Sequence, residues 1–170
     1  MDKMKKPLLV SVLAVVSILA GLLFVLVIQF LLMMKEYALE RLALYEVSYE
    51  SFMFSMIATA VLYLAVGIGM WKGTKWGWWL AQFFFVHDIL SRLPISLSTI
   101  TATYNISSNI YVNALGSLVD ILLIWYFFRP EILTYFNMKK VKKIKSILII
   151  TGINIALIIT STIIFYLIYR

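Results

Sequence analysis

Two otherwise apolar runs carry the chain's interior titratable groups: His87, Asp88 and Arg92 in the run from Trp76 to Leu93, and Asp120 in the run from Asn113 to Phe128. Imidazole titrates near neutral pH, which suits His87 to proton handling. Asp88 and Arg92 stand four residues apart, acid before base, the spacing and order that pair within one helix. Asn113, Gly116, Ser117 and Asp120 fall within about 100° of one another on a helical wheel, a stripe that should face protein or water. Asn154 and Ser161 add a polar face, with Thr151 and Thr162, to the last apolar run. Charged side chains at membrane depth are costly and point to function by default. His87, Asp88, Arg92, Asn113, Ser117, Asp120, Asn154 and Ser161 therefore form the candidate intramembrane polar site. Three uses compete for it. In a structural one, Asp88 and Arg92 neutralise each other, His87 bonds a neighbour, and Asp120 ties its helix to the next. In a transport one, His87, Asp88, Asp120, Asn154 and Ser161 line a path for an ion or small molecule. The third is chemistry on a lipid.

Much other chemistry is excluded. The chain has no cysteine, so disulfides, thiolate nucleophiles and cysteine-held metal sites are out. A single histidine cannot build a three-histidine zinc site or an HExxH pair. The patterns GxxxxGK[ST], GxGxxG and GxSxG do not occur. No two acidic residues lie close together inside one apolar run, so a two-carboxylate engine would need partners from different helices. The sequence assigns no catalytic residue, metal or cofactor.

The elements that must position these groups are long and oily. Of 170 residues, 63% are apolar and 14% charged, and the mean hydropathy is +0.97. Soluble domains run nearer about 45–50% apolar and about 25% charged. A membrane-spanning helix needs roughly 20 mostly apolar residues, and five such runs fit. The sequence predicts an all-α polytopic membrane helical bundle, a single integral membrane domain over 1–170, with spans near 7–34, 51–71, 76–93, 113–128 and 146–169. The first run, with Gln29 its one strongly polar member, is about twice the length of a signal-peptide core and is expected to stay as a span. Residues 35–50 carry two basic and four acidic groups and read as an amphipathic helix at the outer surface. On the second span, Ser51, Ser55, Ala58, Thr59 and Gly69 lie near one face, and Ala65 and Gly69 have small-x-x-x-small spacing, a packing surface for another helix. Trp71, Trp76, Trp78 and Trp79 flank the Lys72–Lys75 turn and are expected as interfacial anchors.

Lysine and arginine fix the expected orientation. The N-terminal tail has three, the 72–75 turn two and the 129–145 segment six; the 35–50 segment has two, the 94–112 loop none and the C-terminus one. The rich and poor segments alternate, as five spans require, so the positive-inside rule puts the N-terminus in the cytoplasm and the C-terminus outside. Lys139, Lys140, Lys142, Lys143 and Lys145 fall where anionic headgroups are expected. The net charge of +7 is mostly this topological signal; base-stacking or groove-reading elements are missing, so no nucleic-acid partner is expected. By helical rise, Asp120 is about 13 Å from the level of Arg129 and His87 about 18 Å from that of Lys75, which allows contact between His87 and Asp120.

The segment GIGMWKGTKWGWWL (67–80) resembles a turn common in small multi-pass prokaryotic membrane proteins, and LVDILLIWYFFRPE (118–131) with Tyr135 and Phe136 resembles the inner end of their last core helix. The resemblance spans about residues 50–136. Those proteins have four or so spans and no established activity, so it implies a fold and a prokaryotic cell membrane and transfers no site residue. Span five and its lysines would be additions to that core. The expected function is an accessory or packing subunit of a membrane assembly, whose partners are the bilayer and another membrane protein or a second copy. A small transporter or channel-like protein using the Asp120 region is the alternative, and a membrane enzyme acting on lipid the third.

Overall fold

The computed structural model describes residues 6–44, 48–92, 106–138 and 141–168, the side chains at 106–112, 161–162 and 164–168 excepted. Among the described residues there are seven helices and no strand: α1 (Leu8–Met33), α2 (Lys35–Ala43), α3 (Tyr49–Lys72), α4 (Lys75–Arg92), α5 (Ile106–Phe127), α6 (Pro130–Tyr135) and α7 (Lys143–Ile168). They gather into two compact units, Met1–Gly77 and Trp78–Arg170.

In the first unit α1 and α3 run antiparallel. The paired positions show it: Lys6 meets Trp71, Ala14 and Ile18 meet Gly67, Gly21 meets Leu64, and Phe24 stacks on Tyr63. Gly67 is required by the close approach, since a Cβ there would lie 2.9 Å from the Ala14 carbonyl oxygen and the Ile18 nitrogen. The seam on α3 runs through Met53, Ala60 and Gly67, at sevenfold spacing, and on α1 through Ala14 and Gly21, at the same spacing. This is the repeat by which two helices keep one seam in register. The small-residue face expected from Ser51, Ser55 and Ala58 is not that seam, because all three stay exposed. Small size permits close approach but does not choose a face; matching repeats on both helices do.

The ends of α3 follow from single residues. The Ser48 hydroxyl accepts the Ser51 N–H at 3.2 Å and caps the first turn. Gly73 ends the helix with φ 63. Its N–H bonds the Met70 carbonyl and the Thr74 N–H bonds the Gly69 carbonyl, both at 3.2 Å, the paired closure that a left-handed residue allows. Thr74 then donates to the Gly69 carbonyl and accepts from the Gly77 N–H, which starts α4.

The second unit has an aromatic core. Phe127 contacts Phe85 and Phe136, Trp78 contacts Phe128, and Ile132 of α6 is buried with them. Arg129 adopts an extended backbone and Pro130 opens α6, the first-turn position where proline's missing N–H costs nothing. On α7 the buried line is Ser146, Ile150 and Asn154 at four-residue spacing, while Ile144, Leu148, Ile153 and Leu157 stay exposed. The fourth apolar run is longer as a helix than expected: α5 starts at Ile106, seven residues before Asn113, because residues 106–112 hold no proline or glycine to stop it.

Three helices are long and apolar enough to cross a membrane: Leu8–Met33, Tyr49–Lys72 and Lys143–Thr160. Their outer faces are covered with exposed leucine, isoleucine, valine and phenylalanine. Asn113–Phe127 is a shorter apolar stretch, and α4 holds three charged groups, Lys75, Asp88 and Arg92, in 18 residues.

Candidate functional site

The polar groups of the second unit converge on α4 at three levels. At the first, Trp78 and Gln82 meet the last turn of α5. The four terminal carbonyls of a helix have no intrahelical partner and must find one. Here Ile124 accepts from Gln82 at 3.5 Å, Trp125 from the Phe128 N–H and Tyr126 from the Arg129 N–H, and Phe127 from Trp78 Nε1 at 3.0 Å. Two side chains one turn apart on α4 thus complete the end of α5. Trp78, one of the four tryptophans expected as anchors, is fully buried, and its indole N–H is spent on a backbone carbonyl. Trp71 and Trp76 are exposed and Trp79 is half-buried. Trp71 carries the Lys6 ammonium 3.9 Å from its ring centre.

At the second level His87 of α4 meets Asn154 of α7. His87 Nδ1 lies 3.1 Å from Asn154 Oδ1, and Asn154 Nδ2 donates to the Ile150 carbonyl at 3.0 Å and the Phe83 carbonyl at 3.5 Å. Carbonyls accept only, so they fix the amide with its NH₂ toward them and its oxygen toward the imidazole. With the amide so fixed, the imidazole donates from Nδ1. The Phe83 ring stacks on the imidazole, with 6.0 Å between centres. Asn154 is fully buried and His87 half-buried.

At the third level Arg92 of α4 bridges two carboxylates. One guanidinium nitrogen binds Asp88 on the same helix, and another donates to Asp120 of α5 at 2.5 Å. Gly116, one turn before Asp120, makes room: a Cβ there would lie 2.7 Å from the guanidinium carbon. The trio is graded in exposure, with side chains 33% exposed at Asp88, 28% at Arg92 and 9% at Asp120.

The sequence-predicted residues therefore divide. Asp88, Arg92 and Asp120 come together, and His87 joins Asn154. The allowed contact between His87 and Asp120 is not the one made: Arg92 reaches Asp120, and Asn154 takes the imidazole. Ser117 is half-buried and Asn113 exposed. The Ser161 side chain, Lys139 and Lys140 lie outside the described residues, while Lys142, Lys143 and Lys145 are exposed at the start of α7. Gln82 escaped notice in the sequence although its signal was there, an uncharged polar residue amid Trp, Leu, Ala and Phe one turn after Trp78. Its Oε1 is buried and has no hydrogen-bond partner among the described residues. Among the described residues no group of three or more His, Asp or Glu is placed to hold a metal. No family model, curated protein or solved structure matches the chain, and its chemistry is read from its own residues.

Proposed function

We propose that this chain is a five-span integral membrane protein that serves as a packing or accessory subunit of a membrane assembly. The observation that carries the accessory role is how α4 spends its polar groups. Trp78, Gln82, His87 and Arg92 each bond α5 or α7, the work of a strut. No nucleophile with an adjacent base stands among them.

Five spans follow if α4 and α5 cross as well. The 18 residues of α4 extend about 27 Å, close to a hydrocarbon core of about 30 Å, and its internal pairs lower the cost of its charges. The contact between Lys6 and Trp71 supports the orientation, since it brings the basic N-terminal end and the basic turn after α3 to one end of the first unit. Glu36, Glu40 and Glu50 belong to α2 and the start of α3, at the other end of that antiparallel pair. With the resemblance to prokaryotic multi-pass proteins, this favours a cytoplasmic membrane with the N-terminus inside. Lys139, Lys140, Lys142, Lys143 and Lys145 would then lie on the inner, anionic surface.

Because the chain has no cysteine, single cysteines report topology without background. Thr103→Cys should label only from outside and Met138→Cys only from inside; labelling from the same side refutes five spans. Gentle detergent extraction should recover a stoichiometric second polypeptide, and a clean monomer or homodimer removes the accessory role. The half-buried His87 and the partly exposed Asp88 and Arg92 favour a second reading, a polar pathway. In that case Asp120→Asn abolishes pH-dependent flux into liposomes, and unchanged flux removes it.

A further inference from the structure

We infer that the exposed stripe of α5 seats one anionic phospholipid, with an acyl chain along Leu115, Leu118, Leu122 and Trp125 and the phosphate on Arg129. The inference rests on α5 crossing the bilayer. The four apolar residues repeat at alternating steps of three and four, so they form one continuous line down the helix. Each is more than half exposed. From Leu115 to Trp125 the line is ten residues, about 15 Å, which is the acyl depth of one leaflet in a hydrocarbon core of about 30 Å.

Arg129 stands one turn beyond Trp125, at the level where that leaflet's phosphates would be. Its guanidinium carbon is 5.0 Å from the Trp125 ring centre and 5.6 Å from that of Tyr126. The two rings hold the cation in place, so little side-chain freedom remains to be lost on binding. Arg129 is exposed, and among the described residues no carboxylate forms an ion pair with it. A planar guanidinium presents two parallel N–H groups to a phosphate, a geometry that lysine cannot reproduce. A cation with ring partners but, among the described residues, no carboxylate partner, directly below a lipid-length apolar line, fits a lipid better than it fits the acidic side chain of another protein. A protein segment would have to bury the whole line as well.

The test is bromolipid quenching of tryptophan fluorescence in the full chain reconstituted in vesicles. Trp71→Phe, Trp76→Phe and Trp79→Phe leave Trp125 and the fully buried Trp78. Brominated phosphatidylglycerol and brominated phosphatidylcholine are compared at equal mole fraction. Phosphatidylglycerol should bind beside Trp125 about fivefold more tightly, the factor equivalent to about 1 kcal/mol for one basic group at an anionic surface. Arg129→Gln should erase the preference, and Arg129→Lys should keep part of it. Equal quenching by the two lipids, or a preference that survives Arg129→Gln, overturns the site, and the first comparison decides even if that variant fails to fold. Quenching at Trp71 and Trp76 of the unsubstituted chain without quenching at Trp125 means that protein covers the stripe, and overturns it while the membrane reading stands. Absence of quenching at every tryptophan overturns both.

Discussion

Arg92→Gln should destabilise the second unit more than Asp120→Asn, and combining the two should restore part of the loss. Among the described residues Arg92 is the one cation paired with both Asp88 and Asp120. Without it two carboxylates face each other, and Asp120, with a side chain only 9% exposed, cannot turn to water. Stranding a buried charge costs about 3–5 kcal/mol; with Arg92 and Asp88 about one-third exposed, the expected cost falls to about 2–3 kcal/mol. In a chain of this size that lowers Tm by about 5–10 °C. Asp120→Asn leaves the pair on α4 intact and should cost about 1 kcal/mol, the value of one hydrogen bond. The double variant removes the stranded acid, leaves Asp88 free to reach water, and lets two amides bond. Its Tm should lie above that of Arg92→Gln and below that of Asp120→Asn. Thermal unfolding in mild detergent, followed by the loss of the monodisperse peak, measures the order. A double variant at or below Arg92→Gln refutes the premise that the guanidinium is held as a shared counter-ion.

Gly116→Ala places a methyl 2.7 Å from the same guanidinium; it should lower Tm with Arg92 present and have little effect in Arg92→Gln, and equal losses in both backgrounds would break the link. Asn154→Leu keeps the branched shape but removes the partner of His87, with an expected cost of about 1–2 kcal/mol, the upper range for polar contacts between membrane helices; nitrogen NMR of the unaltered protein should find the proton on His87 Nδ1, and an Nε2–H tautomer contradicts the amide orientation. Burial raises the Tyr135 phenol above its ordinary 10.0, so the folded state holds that proton more firmly than the unfolded chain. That stability is present below about pH 10 and lost as pH climbs through the folded value; the titration difference between the wild type and Tyr135→Phe should have its midpoint above 10.0, and one at or below it refutes the burial.

What the sequence revealed, it revealed through local chemistry. The ends of α1 and α3 lie within two residues of expectation, because Pro7, Ser48 and Gly73 act on their own neighbours. The pairing of Asp88 with Arg92 was legible for the same reason, as an i,i+4 ion pair on one helix. The bonds between helices were not. A helical wheel tells which residues share a face but not which helix will cover it, so depth alone allowed His87 to meet Asp120 and did not single out Asn154. The fate of Trp78 depends on where α5 ends, because only an exhausted helix terminus offers a carbonyl for its N–H. Gln82 stands out in the sequence as a polar residue among apolar ones, but its acceptor, the Ile124 carbonyl, depends on that same end of α5. The seam on α3 needed its partner's repeat, since Ala60 and Gly67 become a seam only when Ala14 and Gly21 are set against them.

If α4 crosses the bilayer as proposed, these cross-helix bonds also explain why it keeps charges that lipid penalises. Burial of apolar surface cannot drive helices together where lipid tails are equally apolar, so specificity must come from close packing and polar contacts. The first unit uses packing, with glycine and alanine opening the α1–α3 seam. The second uses polar contacts, and each is directional. The indole N–H, the imidazole and the guanidinium of α4 have distinct acceptors: a backbone carbonyl, an amide oxygen and a carboxylate. A slip of one turn along α4 would present each donor to the wrong group. Register in the second unit is therefore set by mismatch as much as by attraction, which is why an Asn154 replaced by a similarly branched Leu should loosen α7 without emptying any space.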